Sequence, residues 1–164
     1  MGEWVRREPE QETIRRYVDA RNRNRSTPPE LEPLLPLGLE GQQPDKLYDV
    51  VAVVTGGRNF HNWELTYRVL DRVHRLRRIK ALVCGMAPGL DSMSARWAQQ
   101  RGVPLIAAPA DWKRFGKAAG VLRNEAMLVD HEPHVCIAFP GGRGTADCVR
   151  RVKARGIPLL VVEE

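Results

Sequence analysis

The chain reads as an α/β protein: a three-layer Rossmann-like parallel sheet of five or more strands, core order 3-2-1-4-5, behind an irregular N-terminal extension. Three observations predict it. From Tyr48 onward five short apolar runs alternate with four longer segments of helical periodicity. Residues 50–54 form an unbroken apolar run, all valine but Ala52, the mark of a strand buried on both faces. Strands joined through helices are parallel and cross over right-handedly. In the commonest order strands 1 and 4 are neighbours whose connections leave on opposite faces, and the crevice at their carboxyl ends is the binding position.

Residues 1–46 stand apart from the domain of residues 47–164. Residues 8–24 can form a short polar helix with Ile14, Tyr17 and Val18 as its apolar contacts. Residues 26–44 carry Pro28, Pro29, Pro33, Pro36 and Pro44, too dense for regular structure. The five leucines among them predict an arm packed across the domain or against a second subunit. A basic nucleic-acid arm (Arg15, Arg16, Arg21, Arg23, Arg25) is the alternative, and interleaved acids weaken it.

Within the domain, strand 1 (50–54) runs into the turn Thr55-Gly56-Gly57-Arg58-Asn59. A helix over 62–78 follows, with Trp63, Leu65, Val69, Leu70, Val73 and Leu76 at helical spacing. Its arginines Arg68, Arg72, Arg75 and Arg78 read as a solvated face. Strand 2 is 79–84; the turn from Gly85 to Asp91 opens a helix that ends at Gly102. Strand 3 is 103–107, a loop covers 109–116, and a helix covers 118–130. Strand 4 is 135–139, followed by a glycine turn, a helix over 145–155 and strand 5 at 157–162.

The densest chemistry lies in the turn Pro140-Gly141-Gly142-Arg143-Gly144-Thr145. A strand, a glycine-rich turn and a helix in succession present backbone N–H groups and a partial positive charge to an anion. Arg143 adds a fork of donors, and Thr145 can serve as N-cap and phosphate contact. The strand order sets this turn beside Thr55, Gly56, Gly57 and Arg58, so two arginine-bearing glycine turns meet at the switch point. At the same sheet edge, Asp91 reads equally as a helix cap or as an acceptor for a ribose hydroxyl. Asp111 and Trp112 offer a carboxylate and a stacking surface, with a surface plug as the alternative for Trp112. Arg123 and Asn124 lie on the helix before strand 4.

Composition narrows the function classes. No apolar run approaches the ~20 residues of a membrane span, and the residues after Met1 hold no signal-peptide core, which predicts a cytoplasmic location. Cys84, Cys136 and Cys148 read as reduced thiols, and neither they nor His61, His74, His131 and His134 have metal-ligand spacing. The net charge of +6 is uneven: residues 1–46 hold 8 basic and 9 acidic side chains, the remaining 118 hold 18 and 11. A basic domain suits an anionic partner. Catalytic triads, the Walker pattern and the dinucleotide fingerprint are all missing.

The chain resembles the YspA/cpYpsA-related branch of the SLOG superfamily, Rossmann-like relatives of the LONELY GUY enzymes and the Smf/DprA DNA-processing proteins. The resemblance is carried by Thr55-Gly56-Gly57-Arg58-Asn59-Phe60, Gly85-Met86-Ala87-Pro88-Gly89-Leu90-Asp91 and Ala110-Asp111-Trp112. It continues through Arg123-Asn124-x-x-Met127 and the stretch from Ala138 to Ala146, and covers residues 50 to the end. It implies a nucleotide or nucleotide-derived ligand, ADP-ribose or NAD-derived among them, across Thr55–Arg58, Gly85 and Pro140–Thr145, and a homo-oligomer. Cys148 stands where LONELY GUY phosphoribohydrolases have a glutamate, Pro88 where the family often has arginine, and Asn59 where an aspartate is common.

The first functional expectation is therefore sensing or sequestering of a nucleotide, with no definite cofactor beyond that bound molecule. The alternatives are an N-glycosidic hydrolase using Asp91 or Asp111, and single-stranded DNA binding, which the 6% aromatic content weakens.

Overall fold

The computed structural model describes residues 49–164; the predicted helix and Pro/Leu-rich arm of residues 1–46 lie outside the described residues. Strands β1 (Val50–Thr55), β2 (Ile79–Cys84), β3 (Leu105–Ala107), β4 (Val135–Ala138) and β5 (Leu159–Val161) form one sheet. All pairings are parallel and the order is β3-β2-β1-β4-β5, as predicted. Helices α1 (Trp63–Leu76) and α2 (Leu90–Arg101) cover one face. Helices α4 (Ala119–His131) and α5 (Arg143–Ala154) cover the other, with the short α3 (Trp112–Phe115) before α4.

The unbroken run of β1 is explained by the two cores it feeds. Val50, Ala52 and Val54 pack with Val69, Leu70 and Val73 of α1 and with Met93 and Trp97 of α2. Val53 points the other way, among Met127 and Leu128 of α4 and Cys148 and Val152 of α5. A period of two thus serves two apolar layers at once.

Boundaries follow local chemistry. Asn62 caps α1, its Oδ1 accepting from Leu65 N at 3.0 Å. The helix stops at Leu76, earlier than predicted, because Arg77 adopts extended backbone (φ −138°) to enter β2. Gly102, at φ 66°, ends α2 in the left-handed region. The arginine face is only partly solvated: Arg75 and Arg78 are exposed, Arg68 and Arg72 half-buried.

Three expectations need correction. The predicted loop over 109–116 contains α3, capped by Asp111 Oδ1 accepting from Arg114 N at 3.0 Å. Helix α5 begins at Arg143 with Gly142 as its N-cap, so Thr145 is inside the helix and does not cap it. Strands β3 and β5 are shorter than their apolar runs at both ends or one, because Val103, Ile157 and Val162 pack into the cores from flanking loop backbone.

Candidate functional site

The carboxyl ends of β1 and β4 open into a cleft of about 740 Å³, within the usual ~300–1,000 Å³ of small-molecule sites. The two glycine turns meet there through main chain. Phe139 N donates to Thr55 O and Gly57 N donates to Pro140 O, each at 2.8 Å. A Cβ on Gly141 would fall 2.7 Å from Gly57 N and against the Thr145 hydroxyl, so only glycine permits this approach.

The turns have different work. Gly57 uses its N–H on Pro140, and its carbonyl accepts from Phe60 N and Leu90 N, both at 3.2 Å. Helix α1 begins only at Trp63. The first turn is therefore a buttress that contributes side chains, chiefly Arg58. The second turn leads straight into α5, where Gly142 provides no side-chain cap. First-turn N–H groups of a helix have no intrahelical acceptors and carry the positive end of its dipole, and Gly142, Arg143, Gly144 and Thr145 all line the cleft.

Asn124 fixes that helix end. It is 4% exposed; its Nδ2 donates to Gly144 O at 3.1 Å and to Asp147 Oδ2 at 3.0 Å, and its Oδ1 accepts from Arg123 Nε at 3.2 Å. Both of its amide donors are spent on α5, so it holds that helix end in place. Burial opposes the charge of Asp147, but hydrogen bonds from Asn124, Arg151 and Arg150 outweigh it and hold the carboxyl below its ordinary value. Arg151 and Arg155 also pair with Glu125, tying α4 to α5.

Arg123 reaches the turn between β2 and α2, its Nη1 donating to Gly85 O at 2.6 Å. A Cβ on Gly85 would collide with that guanidinium. Asp91, 7% exposed, is the second residue of α2 and does not cap it; Gly89 does. Its Oδ2 accepts from Ala87 N at 3.1 Å. Burial raises its pKa, opposed by that hydrogen bond and by the charge of Arg123. Beneath the cleft, Cys84 is pushed up to about 11 by burial. Cys148 is wholly buried with Cys136, so the thiol at the position where LONELY GUY enzymes have glutamate is closed off from the cleft.

Arg58 and Arg143 are exposed, and neither has a carboxylate partner among the described residues. The Arg58 guanidinium lies over the Trp112 ring, 5.2 Å from its centroid. All the predicted ligand residues except Asp111 line the cleft. Asp111 is spent on the α3 cap. Lys117, Asp147 and Glu164 also line it and were not singled out from the sequence. For Lys117 a signal existed, its place between Trp112 and the helix that carries Arg123 and Asn124; Asp147 and Glu164 carried none. Among the described residues no cluster of three His, Cys, Asp or Glu side chains is placed to hold a metal ion. No helix among them is long and apolar enough to cross a membrane.

A doubly wound sheet with glycine turns meeting at its switch point defines a Rossmann-like α/β domain. Residues 50–115 match the YspA, cpYpsA-related SLOG family. The chain is also 38% identical over 116 residues to the Gene 61 protein of Mycobacterium phage D29, covering 66% of this chain and 92% of that relative. The chain belongs to the YspA, cpYpsA-related SLOG family. Membership points in broad terms to nucleotide-related binding or processing.

Proposed function

We propose that the chain binds a nucleotide or nucleotide-derived ligand at the switch point, as a sensor or sequestering module. One observation carries the reading: the uncapped N-terminus of α5 opens into the cleft between Arg58 and Arg143, which lack carboxylate partners among the described residues. A phosphate there meets oriented N–H groups, a helix dipole and two guanidinium forks. Trp112, Val121 and Phe60 supply apolar lining for a base. A homo-oligomer is part of the proposal, supported by the exposed Leu122 and Val129 on α4.

A thermal-shift panel of ADP-ribose, NAD, AMP and cyclic nucleotides tests it. A cognate ligand at a hundredfold excess over its Kd is expected to raise Tm by about 5–10 °C. Arg143→Ala is expected to remove most of that shift while leaving the ligand-free Tm unchanged. No stabilisation by any member of the panel refutes the proposal. Release of free adenine from AMP in the same samples, lost on Asp91→Asn, would favour the hydrolase alternative.

A further inference from the structure

Trp112 is held in the cleft from two sides. A Cβ built on Gly120 of α4 would lie 3.5 Å from its Cη2, so the ring edge rests on bare helix backbone. The Arg58 guanidinium covers the ring at 5.2 Å, although Trp112 remains 49% exposed. Arg58 follows Gly57, whose N–H is bonded to Pro140 O, so its backbone sits beside the turn that opens α5. Both side chains line the same cleft as Gly142 and Arg143.

These positions give Arg58 two roles. On the indole its guanidinium occupies a ring face that a base would use, and its backbone lies beside the start of α5, where the same fork can meet a phosphate. Among the described residues no salt bridge holds it; the stack and the more distant charge of Asp91 are what restrain it.

We infer that Arg58 is exchanged when ligand binds: the base takes its place on Trp112, and the displaced guanidinium moves to the phosphate. This rests on the nucleotide reading above and adds a selection rule to it. A cation on an exposed ring is a weak contact, which a stacking base replaces at small cost. Ribose 5-phosphate brings nothing to displace Arg58 from the ring. A nucleoside displaces it but offers no phosphate to receive it. The site therefore favours molecules carrying an aromatic base and a phosphate together, beyond the sum of the two parts.

The test uses the full chain labelled with 5-fluorotryptophan, the Trp112 fluorine signal being assigned by Trp112→Phe. AMP, adenosine and ribose 5-phosphate are titrated into the unaltered protein, Arg58→Ala and Arg58→Lys. Arg58→Ala uncovers the ring, so adenosine is expected to bind roughly two- to fivefold more tightly. AMP is expected to bind about tenfold or more weakly, because the phosphate loses its fork. Arg58→Lys is expected to show the same opposite signs at smaller size, and AMP to move the Trp112 signal in all three proteins. Unchanged adenosine affinity, changes of the same sign for adenosine and AMP, or AMP binding that leaves the Trp112 signal in place overturns the exchange and leaves the nucleotide site standing. Failure of AMP, ADP-ribose and NAD alike to bind the unaltered protein overturns both.

Discussion

Gly141→Ala is expected to abolish nucleotide binding at concentrations that saturate the unaltered chain. The added methyl would meet Gly57 N at 2.7 Å and Thr145 Cβ at 2.8 Å. The first is main chain held by its bond to Pro140 O and by Phe60 and Leu90 on its carbonyl, so it cannot swing aside. The two turns must separate, which moves the open N–H groups of α5 away from Arg58. That separation takes oriented N–H groups and one guanidinium fork away from the anion together, a loss of roughly a hundredfold or more in affinity. Forcing the methyl in is also expected to cost about 1–3 kcal/mol of stability. Gly144→Ala is the control, because a Cβ there has nothing within 4 Å. In that helical position alanine is expected to raise stability by ~0.5–1 kcal/mol. Urea unfolding and calorimetric titration on both variants read the two effects, and normal affinity in Gly141→Ala would show that the turns need not touch.

Trp97→Ala is expected to produce the largest loss of stability, about 3–5 kcal/mol. Trp97 is wholly buried between α2 and the sheet, packs edge-on to His74 with ring centroids 5.7 Å apart, and donates its Nε1 to Asp71 at 2.9 Å. Asp71 also takes both Arg101 donors, at 2.8 and 2.9 Å, and the Arg101 hydrogen bond is the main influence holding its pKa down. Truncation leaves a cavity that α1 and α2 cannot close, because Leu70 and Met93 are already fixed in the same core. A domain of this size has ~5–15 kcal/mol in total, so the variant should unfold at markedly lower urea concentration. The first turn of α2 carries Leu90, whose N–H supports Gly57, so ligand affinity is expected to weaken too. A midpoint within experimental error of the unaltered protein would count against this packing.

The sheet order was legible because β1 and β4 show continuous β-branched or apolar runs, and a parallel sheet with helices on both faces leaves few arrangements. The meeting of the two glycine turns then followed from topology. What each turn does was not legible. Nothing in Thr55-Gly56-Gly57-Arg58 shows that the Gly57 amide is consumed by Pro140 O, a contact made across 83 residues of chain. From the sequence Thr145 can serve as N-cap, because a hydroxyl or carboxamide is the usual signal, whereas Gly142 ends the turn by backbone conformation alone. The same bias hid α3, whose four residues are too few for periodicity, although Asp111 three residues before Arg114 was its cap. Asn124 was placed at the site by its motif, but its service to Gly144 and Asp147 is tertiary and has no signature in sequence.

The most direct test of an anion seated on α5 is a titration of the ¹⁵N-labelled protein with ADP-ribose, followed through its backbone amides. The amides of Arg143, Gly144 and Thr145 are expected to move first and furthest, with downfield shifts as their N–H groups acquire an acceptor. Binding that leaves those three resonances where they were, with the shifts confined to other surfaces, would contradict the account.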